Sequence, residues 1–139
     1  MNWRETGKIV QMDADQIYAK CKEEDKQMAS GGTYPDLAMQ KGLELAGWDK
    51  KYRVATSKSS DIDELKRVIH RHMFASVNMV VSREIYDLYD GRFVYEGTGQ
   101  KAGGHSLVCC GYDDATRMLI LQNHWGTEWG LKGFCLCPY

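Results

Sequence analysis

The residues whose types and spacing could do chemistry lie in one segment, 103–130, which reads GGHSLVCCGYDDATRMLILQNHWGTEWG. His105 starts an apolar run. After a Gly-Tyr-Asp turn, a second apolar run ends at Asn123, directly before His-Trp-Gly. An imidazole can take a proton from a nucleophile, and a carboxamide can fix the tautomer of that imidazole through a hydrogen bond. The segment therefore contains, at positions 105 and 123, two residue types that can take part in proton transfer.

Composition limits the classes of protein to consider. The chain has 139 residues, of which 43% are hydrophobic and 27% charged, and its net charge is −1. These values are typical of one globular domain with a real core, and they give no indication of a nucleic-acid or anionic membrane partner. No apolar run approaches the roughly 18 residues that span a bilayer, and the N-terminus lacks the apolar core of a signal peptide. We therefore expect a cytoplasmic protein.

The five cysteines do not follow a metal-binding or disulfide pattern. Their number is odd and no export signal accompanies them, which favours reduced thiols. No CxxC or HxxxH spacing occurs, so we expect no metal ion and no cofactor. We expect the four cysteines in the second half to be small buried hydrophobic residues: Cys109 and Cys110 on opposite faces of a strand, Cys135 and Cys137 on one face.

The hydrophobic pattern predicts helices first and strands afterwards. The predicted helices cover about 14–24, from Pro35 to before Gly47, and 61–73, the last opened by a capping box at Ser60 and Asp63. Five further runs, and a short one over 52–55, favour strands: 75–81, 92–95, 105–111, 118–122 and 133–137. The order is that of an α+β protein with a single domain over 1–139, mainly helical over 1–74 and mainly β over 75–139.

The ordered motifs resemble the papain family of cysteine peptidases over nearly the whole chain. The run Asn123-His124-Trp125-Gly126, followed by Trp129, resembles the family's asparagine segment, although the family usually has serine where His124 stands. The resemblance implies the papain-like α+β fold, lacking its N-terminal catalytic helix, with helices in the first half and an antiparallel, barrel-like sheet in the second. Peptidases of this family use a cysteine, a histidine and an asparagine.

The resemblance also implies roles for individual residues. His105 and Asn123 correspond to the catalytic dyad, with Trp125 shielding their hydrogen bond from water. Ser30-Gly31-Gly32 resembles the wall that binds the substrate backbone, and Tyr34-Pro35 the pair that shapes the main specificity pocket. The predicted substrate-binding residues are Gly31, Gly32, Tyr34, Pro35, Gly103, Gly104, Ser106 and Trp125.

The nucleophile of this chemistry is missing. The family's cysteine lies about 130–150 residues before its histidine and asparagine, which here falls before Met1. No CGSCW-like string and no accompanying oxyanion glutamine occur. Cys109 lies four residues beyond His105, roughly 13 Å along a strand, which is too far for proton transfer. We therefore expect a chain that begins just after the nucleophile helix and has no activity of its own.

Two functions remain open. In the resembled fold the nucleophile helix buries apolar surface on both sides, so its absence predicts an exposed groove. We expect a homo-oligomer, or a partner polypeptide, to cover that groove, with a peptide or small ligand as a further possibility. The first function is an inactive homologue that binds a partner as an inhibitor, sequestering or regulatory protein. The alternative is the histidine–asparagine half of a split peptidase whose cysteine comes from another chain.

Overall fold

A computed structural model describes residues 11–25, 31–57, 60–89 and 91–139. The chain divides into two compact units, Met1–Lys58 and Ser59–Tyr139, named here the helical unit and the sheet unit. The third helix thus groups with the strands rather than with the other helices. That the two units form one domain remains a prediction.

Helices α1 (Ala14–Glu24) and α2 (Pro35–Leu45) form the helical unit. The Asp13 carboxylate caps α1 by accepting hydrogen bonds from two backbone N–H groups of its first turn, and Pro35 begins α2, where no N–H partner is needed. The predicted strand over 52–55 is wrong. The Tyr52 N–H bonds to the Trp48 carbonyl at 2.9 Å, and a group held in this local turn cannot pair with a neighbouring strand.

Helix α3 (Ile62–His72) opens the sheet unit one residue later than the capping-box pattern predicts. The cap is Asp61 rather than Ser60, because the Asp61 carboxylate accepts from the N–H groups of Asp63 and Glu64. Met73 caps the end of the helix, and its left-handed φ of 73° turns the chain into the first strand.

Four antiparallel strands follow in the spatial order of the sequence: β1 (Ala75–Ser82), β2 (Lys101–Asp113), β3 (Met118–Gln122) and β4 (Phe134–Pro138). A short 3-10 helix, Arg83–Asp87, follows β1. The α+β prediction is confirmed, but the sheet is open rather than closed into a barrel, with β1 and β4 at its edges. The predicted strand over 92–95 contributes one parallel bridge, between Val94 and Leu136.

One apolar cluster fills the sheet unit. Trp129 and Ile85 are fully buried in it, and Ile69 brings the inner face of α3 against it. The remaining members come from the strands and their connections: Val81, Leu88, Tyr95, Leu107, Cys109, Leu119, Leu121 and Cys135. Among the residues that the structure describes, no helix has the length and apolar character required to cross a membrane.

Candidate active site

Strand β2 positions His105. His105 pairs with Met79 of β1, and the register between these strands shifts at Val81 and Ser82. Gly103, opposite that shift, has a φ of 149°, which a residue with a side chain rarely adopts. His105 therefore lies just beyond an irregularity in the strand pairing, and Gly103 supplies the backbone conformation found there.

Asn123 follows β3, and its backbone N–H bonds to the Gly133 carbonyl at 2.9 Å. In the pairing of β2 with β3, Gln122 at the end of β3 lies opposite Val108. Asn123 therefore follows β3 toward His105, and Oδ1 of Asn123 lies 3.0 Å from Nε2 of His105. The same oxygen accepts a second hydrogen bond, from the His124 N–H at 2.9 Å. Asn123 is 8% exposed, so this bond is largely withdrawn from water.

This hydrogen bond defines the tautomer of the histidine. A carboxamide oxygen can only accept, so Nε2 of His105 carries the proton and Nδ1 holds the lone pair. In the part of the chain that the structure describes, Nδ1 has no hydrogen-bond partner. The imidazole is thus prepared to accept a proton at Nδ1.

Aromatic rings surround the pair. The Trp125 ring lies 4.7 Å from the His105 ring, and it also stacks on Tyr86 at 5.2 Å and contacts the edges of Trp129 at 5.8 Å and His124 at 6.1 Å. The Trp129 indole donates to the Ile85 carbonyl at 2.8 Å, which ties this aromatic group to the buried core. Trp125 is therefore held where it can restrict the access of water to the His105–Asn123 bond.

His124 is a site residue whose contact the sequence did not reveal. Its ring lies 5.5 Å from the His105 ring, and its side chain is exposed. From the sequence, His124 is distinguished only by standing where the family usually has serine. Its position beside Asn123 was the signal that could have placed it next to His105.

The thiols of the sheet unit do not serve this imidazole. Cys109 and Cys110 donate to the carbonyls of Gly111 and Ile120, and no thiol in the described part of this unit bonds to His105. Burial raises the pKa of Cys109 to about 11 and that of Cys135 to about 12. Burial also raises the pKa of Cys110 and of Cys137, so all four thiols are poor nucleophiles near neutral pH.

Three of the predicted substrate-binding residues share β2 with His105. Gly103 and Gly104 precede it and are exposed, and a side chain added at either would meet open space. Ser106 points to the opposite face of the strand, where its hydroxyl donates to Oδ1 of Asn78 at 2.6 Å. Ser106 is therefore not brought beside the imidazole.

The other predicted binding residues belong to the helical unit. The Gly31 carbonyl accepts from the Tyr18 hydroxyl at 3.4 Å, and the Gly32 carbonyl accepts from the Lys22 ammonium. Tyr34 precedes α2 and is half exposed, and Pro35 is the first residue of that helix. Ser30 lies outside the described residues. A substrate-binding role for this segment remains a prediction.

The described ranges contain no group of three or more histidine, cysteine, aspartate or glutamate side chains arranged to hold a metal ion. The chemistry that the arrangement supports is proton transfer at one histidine nitrogen, with the other nitrogen fixed by an amide.

Comparisons with known proteins point to one family. The family model described as papain family cysteine protease matches residues 3–137. A peptidase C1-like protein of Acanthamoeba polyphaga mimivirus is 25% identical over 114 residues, which are 76% of this chain and 36% of that protein. Cathepsin K of Gallus gallus is 37% identical over 76 residues, which are 52% of this chain and 22% of that protein.

A solved structure shows the fold. Digestive procathepsin L 3 of Tenebrio molitor larval midgut superposes with a TM-score of 0.66 at 16% identity, over 97% of this chain and 52% of that one. The chain spans about a fifth to about a third of the length of the two curated relatives named above. With a family match over almost its whole length, the chain belongs to the papain family of cysteine peptidases.

Proposed function

We propose that this chain carries the general-base part of a papain-type cysteine-peptidase site and acts with a thiol supplied by a polypeptide segment outside residues 1–139. The observation that carries the proposal is the 3.0 Å contact between Nε2 of His105 and Oδ1 of Asn123. It leaves Nδ1 as the proton acceptor. A buried carboxamide that orients an imidazole in this way has a clear use in proton transfer.

The reaction would then proceed in two steps. Nδ1 of His105 takes the thiol proton, and the thiolate attacks the substrate's acyl carbon and forms a carbon–sulfur bond. The imidazolium returns the proton to the leaving amine as the carbon–nitrogen bond breaks. In the second step, His105 deprotonates a water molecule, which hydrolyses the thioester and restores the thiol. Asn123 holds the ring throughout.

An external thiol is required because the sheet unit offers none. Cys109 and Cys135 lie in the core, and burial keeps their thiols protonated. The same observation favours the second candidate, an inactive homologue that binds a partner protein, peptide or small ligand. In that case His105 and Asn123 keep their geometry without serving a reaction.

Reconstitution separates the two candidates. The full chain is mixed with a synthetic peptide of the family's nucleophile-helix pattern, glutamine, five residues and Cys-Trp, and cleavage of a fluorogenic dipeptide amide is followed. We expect no cleavage by either component alone and cleavage by the mixture. His105→Ala should lower the rate at least about a hundredfold, because a general base contributes this much or more. His72→Ala, an exposed histidine of α3, is the matched control.

Three results would contradict the proposed function. The first is a mixture in which the peptide binds, measured by fluorescence anisotropy, but no substrate is cleaved; this result would support the inactive binding protein. The second is a peptide that does not bind. The third is cleavage by the chain alone with labelling of one of its own cysteines by an epoxysuccinyl thiol probe, since the nucleophile would then be internal.

A further inference from the structure

We propose that His105 and His124 together bind a divalent transition-metal ion, such as Zn²⁺ or Ni²⁺, through one nitrogen of each imidazole. The two rings lie 5.5 Å apart between centroids, with 32° between their planes. Imidazole nitrogen is a preferred ligand for both ions. The inference depends on His124, where the resembled family usually has a serine that offers no such ligand.

The ring separation fits a shared ion. In a tetrahedral zinc site each coordinating nitrogen lies about 2.0–2.1 Å from the metal, which holds the centroids of two ligating imidazoles about 5 Å apart. The observed 5.5 Å is close to that value. Because the His124 side chain is exposed, its ring can turn either nitrogen toward the ion without displacing core residues.

Asn123 prepares the first ligand. A metal-binding histidine usually donates its second N–H to an oxygen, which fixes the ring and raises the basicity of the coordinating nitrogen. His105 has this arrangement, since Nε2 lies 3.0 Å from Oδ1 of Asn123 and Nδ1 has no partner within the described ranges. The lone pair is therefore available without a change of tautomer.

The site has two protein ligands. No third histidine, cysteine or carboxylate of the described residues completes it, so solvent or a bound anion would fill the remaining positions. Two ligands give a weaker and more reversible site than the closed four-ligand sites that stabilise folds. The occupancy of such a site would follow the free concentration of the ion.

Binding would block the base, because an ion on Nδ1 occupies the lone pair that accepts the thiol proton. This consequence rests on the proposed function, whereas metal binding itself does not. An incoming thiolate could also fill an open coordination position, since thiolates are strong ligands for zinc.

The test uses the full chain and a Ni²⁺ titration followed by NMR of the imidazole resonances. Only four histidines are present, at positions 70, 72, 105 and 124. We expect the signals of His105 and His124 to broaden first. In calorimetry, His124→Ser should weaken Ni²⁺ and Zn²⁺ binding at least about tenfold. His70→Ser, on the exposed face of α3, should leave it unchanged.

The readout does not require enzymatic activity, so its result is separate from that of the reconstitution. Equal weakening in His124→Ser and His70→Ser would overturn the inference, because it would indicate adventitious binding to surface histidines. Broadening that spares His105 would overturn it as well. Circular dichroism of each variant verifies that the fold is retained.

Discussion

The sheet unit and the helical unit bury different kinds of side chain. The sheet unit holds a cluster of eleven buried hydrophobic residues and also buries the polar residues Ser82 and Asn123. In the helical unit, the buried residues that the structure describes are Cys21, Asp25, Lys41 and Gly42. Lys41 is held by the carboxylates of Glu24 and Glu44. The sheet unit is therefore stabilised chiefly by apolar burial, whereas in the helical unit ion pairs mainly satisfy a buried charge.

The difference between the buried residues of the two units affects how firmly the candidate site residues are held. His105 contacts Trp125, which contacts Trp129, a fully buried member of the apolar cluster. His105 is thus supported by the core of its own unit. Gly31 and Gly32, the predicted substrate wall, have no comparable support: each is exposed, and an added side chain would meet open space. We therefore expect His105 to be held more rigidly than Gly31 and Gly32.

The largest expected effect is the loss of Trp129. Trp129→Ala should lower the free energy of unfolding by about 3–5 kcal/mol, because it removes a fully buried ring and leaves a cavity. Trp129→Phe, which loses the hydrogen bond to the Ile85 carbonyl but keeps a ring, should cost less. Met39→Ala in the helical unit, 44% exposed, should stay within about 0.5 kcal/mol. Urea denaturation measures all three, and a cost for Met39→Ala equal to that for Trp129→Ala would abolish the contrast.

Alkylation compares the thiols of the two units. At pH 8, iodoacetamide should modify Cys109 and Cys135 at least about a hundredfold more slowly than in urea, because burial raises their pKa to about 11 and about 12. Cys21, also buried, should react sooner through local opening of the helical unit. Peptide mapping by mass spectrometry gives the rates. Modification of Cys21 as slow as that of Cys109 would show that the two units are equally protected.

Adjacent glycines test the strand irregularity before His105. Gly103→Ala should destabilise the chain by about 1–2 kcal/mol, because its φ of 149° is strained for a residue with a side chain. Gly104→Ala is the matched control, since its position is equally open and carries no such φ. Thermal denaturation of the two variants decides the question. Equal costs would indicate that the backbone at position 103 carries no special constraint.

The smallest expected effect concerns the ion pairs of the helical unit. The Lys41 ammonium holds the pKa of Glu44 below its ordinary value. A lowered carboxylate pKa stabilises the fold above the unfolded value of about 4.3, and that contribution is lost as the pH falls through the folded value. Glu44→Gln should therefore reduce the loss of stability between about pH 5 and pH 3. Melting temperatures across this range test it, with Glu23→Gln, in an exposed pair, as the control.

Local patterns predicted much of the fold. The bounds of α1 and β3 match the predictions, because Asp13 caps the first and an unbroken apolar run forms the second. The strand expected over 52–55 failed because periodicity alone cannot show whether a backbone group is held in a turn. The predicted cap, Ser60, lies one residue before the observed cap, Asp61, because serine and aspartate cap helices equally well.

The site was less accessible to sequence reasoning. The hydrogen bond between His105 and Asn123 was expected only from the family resemblance, and the pairing of β2 with β3 brings it about. The contact between His124 and His105 depends on the direction of the chain after β3, for which the position of His124 beside Asn123 was the only signal in the sequence. Ser106 shows the converse, because alternation along β2 places it on the far face although it adjoins His105 in sequence.

The aromatic contact beside the base gives this chain an internal optical reporter. The Trp125 indole lies 4.7 Å from the His105 ring and is stacked on Tyr86. Indole emission is quenched by a neighbouring protonated imidazole and changes when bound water is displaced. Of the four tryptophans in the chain, Trp125 is therefore the one whose contribution to the fluorescence can follow events at the histidine without a substrate, a label or a second polypeptide.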